Sequence, residues 1–82
     1  GAVFYWKSRK GRELDFAFSI GGKYLPVEVK YSSRIRKEDC YGVYDFMKTG
    51  MATKRGIIVT KDVLDFGGRC AKVPCYLFLL LA

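Results

Sequence analysis

Asp15, Glu28 and Lys30 stand at the spacing D, twelve residues, E-x-K, and they are the residues of this 82-residue chain whose types and separation suit chemistry. Two carboxylates brought face to face repel unless a cation lies between them, and hard oxygen ligands of this kind suit Mg²⁺ or Mn²⁺ at neutral pH. Such an ion activates water and neutralises a phosphate, while an ammonium beside it stabilises developing charge or orients the attacking water. In outline this is a site for phosphodiester hydrolysis. The chain has no histidine, which excludes Ser-His-Asp and Cys-His triads and His-ligated zinc, so any catalysis falls to carboxylates, lysine or thiol.

The elements that must position these residues follow from two-residue alternation on both sides of Gly21-Gly22, the mark of a β-hairpin. The pattern places Leu14, Phe16, Phe18 and Ile20 on one buried face and Glu13, Asp15, Ala17 and Ser19 on the other. In the second strand Leu25, Val27, Val29 and Tyr31 form the apolar set, so Glu28 and Lys30 share the opposite face. With a two-residue turn the register sets Phe16 against Val27, Phe18 against Leu25, Asp15 against Glu28 and Glu13 against Lys30.

Residues 3–7 are rich in β-formers and a polar turn at 9–12 follows them, which predicts a first strand and hence a three-stranded antiparallel meander. Pro26 is expected near the start of the third strand, where a missing N–H matters least if that edge is locally unpaired. Cys40, Val43, Tyr44, Met47 and Met51 recur at helical spacing, which predicts an amphipathic helix over 37–48 with Gly50 as its stop. The unbroken apolar run at 55–60 predicts a strand covered on both faces and parallel to the Val27 strand across a right-handed crossover. Residues 61–69 read as a loop, 71–73 as a short fifth strand, and Pro74 onward as a terminal helix. Gly1-Ala2 reads either as a cloning remnant or as the cut end of a longer chain. The fold class is therefore α/β, with an α+β mixed sheet, and the chain is one domain over 1–82.

Fifteen Lys and Arg against eight Asp and Glu give a net charge of +7, which favours a polyanionic partner such as nucleic acid. Arg9, Lys10, Arg12, Arg34, Arg36 and Lys37 are the candidate contacts to backbone phosphates. Cys40, Cys70 and Cys75 are odd in number and lack C-x-x-C spacing, so they suggest neither a disulfide framework nor a Cys-only zinc site, but small core residues in a reducing, cytoplasmic setting. A redox enzyme is disfavoured because no cysteine sits beside a recognisable activating partner. The apolar tail at 76–81 is too short to span a membrane; it completes the core or docks on a neighbour.

The segment Glu13-Leu-Asp15 with Pro26-Val-Glu28-Val-Lys30-Tyr31 resembles the PD-(D/E)xK nuclease superfamily, the restriction-endonuclease-like fold, and the order strand, strand, strand, helix, strand matches that core. The resemblance implies that Asp15 is the metal-binding Asp of the second core strand, Glu28 the acidic ligand of the third and Lys30 its lysine, with the Val29 carbonyl helping to hold the ion. More narrowly, Tyr5-Trp6, Gly11-Arg-Glu-Leu-Asp15-Phe, Pro26-Val-Glu-Val-Lys-Tyr-Ser, Arg55-Gly-Ile-Ile-Val-Thr and Val73-Pro-Cys-Tyr-Leu-Phe-Leu-Leu resemble the C-terminal domain of a large group of archaeal and bacterial AAA-type ATPases. That likeness covers nearly the whole chain and implies a fragment of a longer protein with an upstream ATPase module. No G-x-x-x-x-G-K-[ST] occurs, so this chain alone is not the ATPase. The superfamily usually adds an acidic residue from a helix before the first strand, and the sequence given begins at that strand.

Two readings of function result. One is a metal-dependent nuclease-like domain, using Mg²⁺ or Mn²⁺ and acting on or binding nucleic acid, with DNA favoured. The other is a non-catalytic accessory domain that packs on an ATPase module or forms a homodimer, and in which the same charges are ordinary ion pairs.

Overall fold

The computed structural model describes residues 3–81; the expectation for Gly1-Ala2 lies outside the described residues. Strands β1 (Val3–Lys7), β2 (Glu13–Ile20) and β3 (Lys23–Val29) form the meander, a 3-10 turn (Lys37–Cys40) leads into helix α1 (Tyr41–Met47), and β4 (Gly56–Thr60), β5 (Cys70–Pro74) and helix α2 (Cys75–Leu81) complete the chain. One five-stranded sheet runs β1-β2-β3-β4-β5, antiparallel through β3 and parallel from β3 to β5. This is an α+β mixed sheet of the expected class. Among the described residues no helix is long and apolar enough to cross a membrane.

The diglycine corner behaves as its sequence demands. Gly21 and Gly22 both take positive φ, 55° and 83°, as a tight hairpin turn requires, and the register runs from Ile20 against Lys23 to Phe16 against Val27. Beyond Phe16 the ladder stops, and β3 turns to its other neighbour, with Glu28 beside Ile58 and Val29 beside Val59. Asp15 and Glu28 are therefore not a ladder pair but face each other across the gap where β2 and β3 part.

The alternation in β2 does not survive intact. Between Phe4 against Ala17 and Trp6 against Leu14, two steps of β1 span three of β2, so Tyr5 stands opposite both Asp15 and Phe16. This bulge puts Leu14 and Ala17 on the same face, both fully buried, and corrects the expectation that Leu14 shares a face with Phe16, Phe18 and Ile20. Leu14 and Ala17 pack under α1 with Cys40, Val43, Phe46, Ile58 and Cys70. Phe18 and Leu25 lie on the other face, where Phe78 and Leu81 of α2 meet them with Ile57 and Val73. Phe16 and Ile20 stay largely exposed.

The helix covers the expected span but begins as a 3-10 turn, closed by the Asp39 carboxylate, which accepts the Arg36 N–H at 2.8 Å. Its core stripe includes Phe46, fully buried, whereas Met51 lies beyond the Gly50 stop and is exposed. Pro26 falls inside a central strand rather than at its start. Its missing N–H faces β4 just before that ladder begins at Val27 and Ile57, so no sheet bond is lost.

Candidate functional site

Three segments build the site. The bulge turns β2 at Asp15, so its Oδ2 accepts the Val29 N–H at 2.8 Å, in the place a strand carbonyl would occupy. Strand alternation then aims the Val29 carbonyl into the same gap. Glu28 points to the α1 face, beside the Asp15 carboxyl. Gly42 roofs it: a Cβ there would stand 2.9 Å from Glu28 Oε2 and collide with the Glu13 carbonyl oxygen. A glycine within a helical apolar pattern is the signal that marks such a close approach, and the sequence reading passed over it.

Burial, then the Asp15 hydrogen bond and charge, push the Glu28 carboxyl up to about 8 from its ordinary 4.5, against the pull of the Val29 and Asp15 backbone N–H groups. Glu28 so placed keeps its proton through neutral pH. A carboxyl raised in the folded state contributes fully below its unfolded value, so stability falls as pH rises from about 4.5 to about 8. Glu28→Gln removes that slope. It is expected to be more stable than the parent above pH about 8, by about 1–2 kcal/mol once solvent screening of a half-buried group is allowed for, with no gain below pH about 4.5, as urea unfolding across that range will show.

Lys30 departs from its predicted partner. It lies just past the end of β3, where its N–H donates to the Val59 carbonyl at 2.8 Å, and its ammonium stands 4.0 Å from the Asp39 carboxylate. Glu13, expected opposite Lys30, instead stands opposite Lys7 across the β1 ladder, because β2 and β3 have parted before Lys30 is reached. Alternation still keeps Lys30 on the face of Glu28, while Asp39 draws its amine toward a cleft lined by Ser32, Arg34, Arg36 and Glu38.

The basic candidates divide between two places. Arg9 and Lys10 line a second cleft with Lys7 and Lys48, while Arg34 and Arg36 share the one that holds Lys30. Lys37 opens the 3-10 turn. Arg12 is committed to structure: its Nε lies 3.0 Å from Asp45, and its guanidinium lies 4.6 Å from the Tyr41 ring centroid, which fastens the β1–β2 turn to α1.

The model of a domain of unknown function, DUF4143, matches residues 1–77. The chain belongs to the DUF4143 family. No curated protein and no solved structure gave a significant match. The description of DUF4143 assigns no activity, so any reading of this DUF4143 domain rests on its site. Among the described residues no group of three or more Cys, Asp or Glu side chains is placed to hold a metal. The Asp15–Glu28 pair still fits a hard divalent ion, because Mg²⁺ commonly takes one or two carboxylates and completes its shell with water and phosphate oxygens.

Proposed function

We propose that this DUF4143 domain is a nuclease-like domain that acts on nucleic acid through a divalent cation held by Asp15 and Glu28. The observation that carries the reading is the pair itself: two carboxyls forced together where β2 and β3 separate, with Glu28 pushed up to about 8. A protein with no use for that arrangement gains stability by losing it. The resemblance to the PD-(D/E)xK nucleases and the net charge of +7 support the same reading.

Asp15 and Glu28 would hold Mg²⁺ or Mn²⁺, with the Val29 carbonyl as a third oxygen. When bound, the ion would supply a Lewis acid at the scissile phosphate and a more acidic water. The residues themselves do the positioning. Asp15 stays fixed by the Val29 N–H, Gly42 leaves room above Glu28, and Lys30 is free to exchange its 4.0 Å contact with Asp39 for a phosphate oxygen. Arg9, Lys10, Arg34, Arg36 and Lys37 would contact backbone phosphates, giving affinity that falls steeply with salt.

The test is nicking of supercoiled and branched DNA in Mn²⁺, stopped by chelation and abolished in Glu28→Gln. Equal nicking by both proteins would end the proposal.

A second reading, an accessory domain packed on an upstream ATPase module or on another copy, is favoured by α2, whose Leu79, Leu80 and Leu81 are 67 %, 80 % and 71 % exposed. Domains of this family are often found at the C-terminus of AAA-type ATPases. Calorimetry that finds no heat on adding Mg²⁺ or Mn²⁺ would favour this reading over the first.

A further inference from the structure

Arg9 and Lys10 stand with Lys7 and Lys48 around a cleft that the carboxyl pair does not share, and Trp6 lines it with them. Trp6 is the chain's single tryptophan. It lies on β1, the edge strand of the sheet, so β2 flanks it on one side only. Phe46 of α1 meets its ring in an edge contact at 5.3 Å, and the residue stays half-buried at the cleft. The cleft encloses about 400 Å³, a size that takes one unstacked nucleotide but no base pair inside a duplex.

The walls are fixed before any ligand arrives. The Ser8 N–H donates to the Arg12 carbonyl at 2.7 Å, the Gly11 N–H to the Ser8 carbonyl at 3.0 Å and the Arg12 N–H to Ser8 Oγ at 3.0 Å, which closes the β1–β2 turn. The one carboxylate at the cleft, Asp45, is already engaged, by Arg12 at 3.0 Å and Lys48 at 3.5 Å. Among the described residues no carboxylate forms an ion pair with Lys7, Arg9 or Lys10, and all three are exposed. Uncommitted cations around an aromatic ring are the means by which proteins hold a single strand, with the cations on successive phosphates and the ring against a base. A duplex keeps its bases stacked inside and offers the ring nothing.

We propose that this cleft binds single-stranded nucleic acid, with a base against Trp6 and the flanking phosphates on Lys7, Arg9 and Lys10. The inference rests on the nucleic-acid reading above and deepens it, because the substrate it names is a strand with an unpaired segment. Asp45 at the cleft and Gly42 over Glu28 are three residues apart on α1, on one face and about 4.5 Å along the axis. A strand held in the cleft therefore lies beside the helix face that covers the carboxyl pair.

The test follows Trp6 fluorescence as oligodeoxythymidylate is added in EDTA, where no cation-dependent cleavage runs. The expected result is saturable quenching by the single strand and none by a blunt duplex of equal charge, with affinity falling about 20-fold between about 50 and 200 mM salt for about three phosphate contacts. Lys10→Glu should weaken the binding by about tenfold or more. Lys54→Glu, the same charge change at an exposed position outside both clefts, should cost far less. No quenching, equal quenching by the duplex or by polyglutamate, or equal weakening by the two variants would overturn the inference, and all but the last of these are read on the wild-type domain. Quenching without nicking in Mn²⁺ would leave the single-strand site standing while the cation reading fell, and nicking without quenching would do the reverse.

Discussion

Asp15→Ala is expected to lower Mn²⁺-dependent cleavage by about 100-fold or more while shifting the melting temperature by only a few degrees. The split arises because Asp15 has two opposed effects on the fold. Its carboxylate accepts the Val29 N–H at 2.8 Å, a charged hydrogen bond of the kind worth about 1.5–3 kcal/mol. Above pH about 8, where Glu28 is ionised, it also repels that carboxylate, and its removal there relieves that cost. The freed Val29 N–H sits at an exposed position where water can satisfy it. In melts above pH about 8 the two contributions oppose each other, whereas the proposed cation would lose one of its two carboxylate ligands outright. Nicking rates measured beside thermal melts will show the split, and equal residual nicking in variant and parent would contradict it.

Phe46→Ala is expected to cost about 3–5 kcal/mol, a large part of the stability of a domain this small. Phe46 is fully buried. It is also where α1 grips the first strand, with its ring 5.3 Å from Trp6 in an edge contact and 6.1 Å from Phe4. Truncation leaves a cavity under the helix that the short β1 strand cannot collapse to fill. Because α1 carries Gly42 over Glu28, loosening it also opens the site. Phe46→Leu, which keeps most of the volume, should cost about 1.5 kcal/mol or less. Urea unfolding of both variants measures the difference, and a loss below about 1 kcal/mol for Phe46→Ala would show that α1 is held elsewhere.

What could be read from the residues divides along physical lines. Local chemistry was legible. Gly21-Gly22 fixes a two-residue turn and with it the register from Ile20 to Phe16, and the apolar run in β4 announces a strand with both faces covered. What failed was anything set by a neighbour across the sheet. The bulge opposite Tyr5 leaves the alternation in the letters of β2 intact, so Leu14, Phe16 and Phe18 look like one face until β1 is laid beside them. That irregularity, more than the register, is what brings the Asp15 carboxylate to β3. Lys30 was expected against Glu13, but the ladder ends sooner, and Asp39 from the following turn takes that place. Phe46 lies off the helical stripe that the letters carry on to Met51, and Met51 itself falls past the stop. Cys40 and Cys70 join one core only once the crossover has laid α1 over the sheet, which no spacing of cysteines in the sequence announces.

The account turns on whether Asp15 and Glu28 share a cation site, and the most direct measurement is a carbon-detected NMR titration of the Glu28 carboxyl, with and without Mg²⁺, in the parent and in Asp15→Ala. The prediction is a midpoint near 8 in the parent that falls when Mg²⁺ is added and also falls when Asp15 is removed. A midpoint near the ordinary 4.5 that neither Mg²⁺ nor Asp15→Ala moves would contradict it.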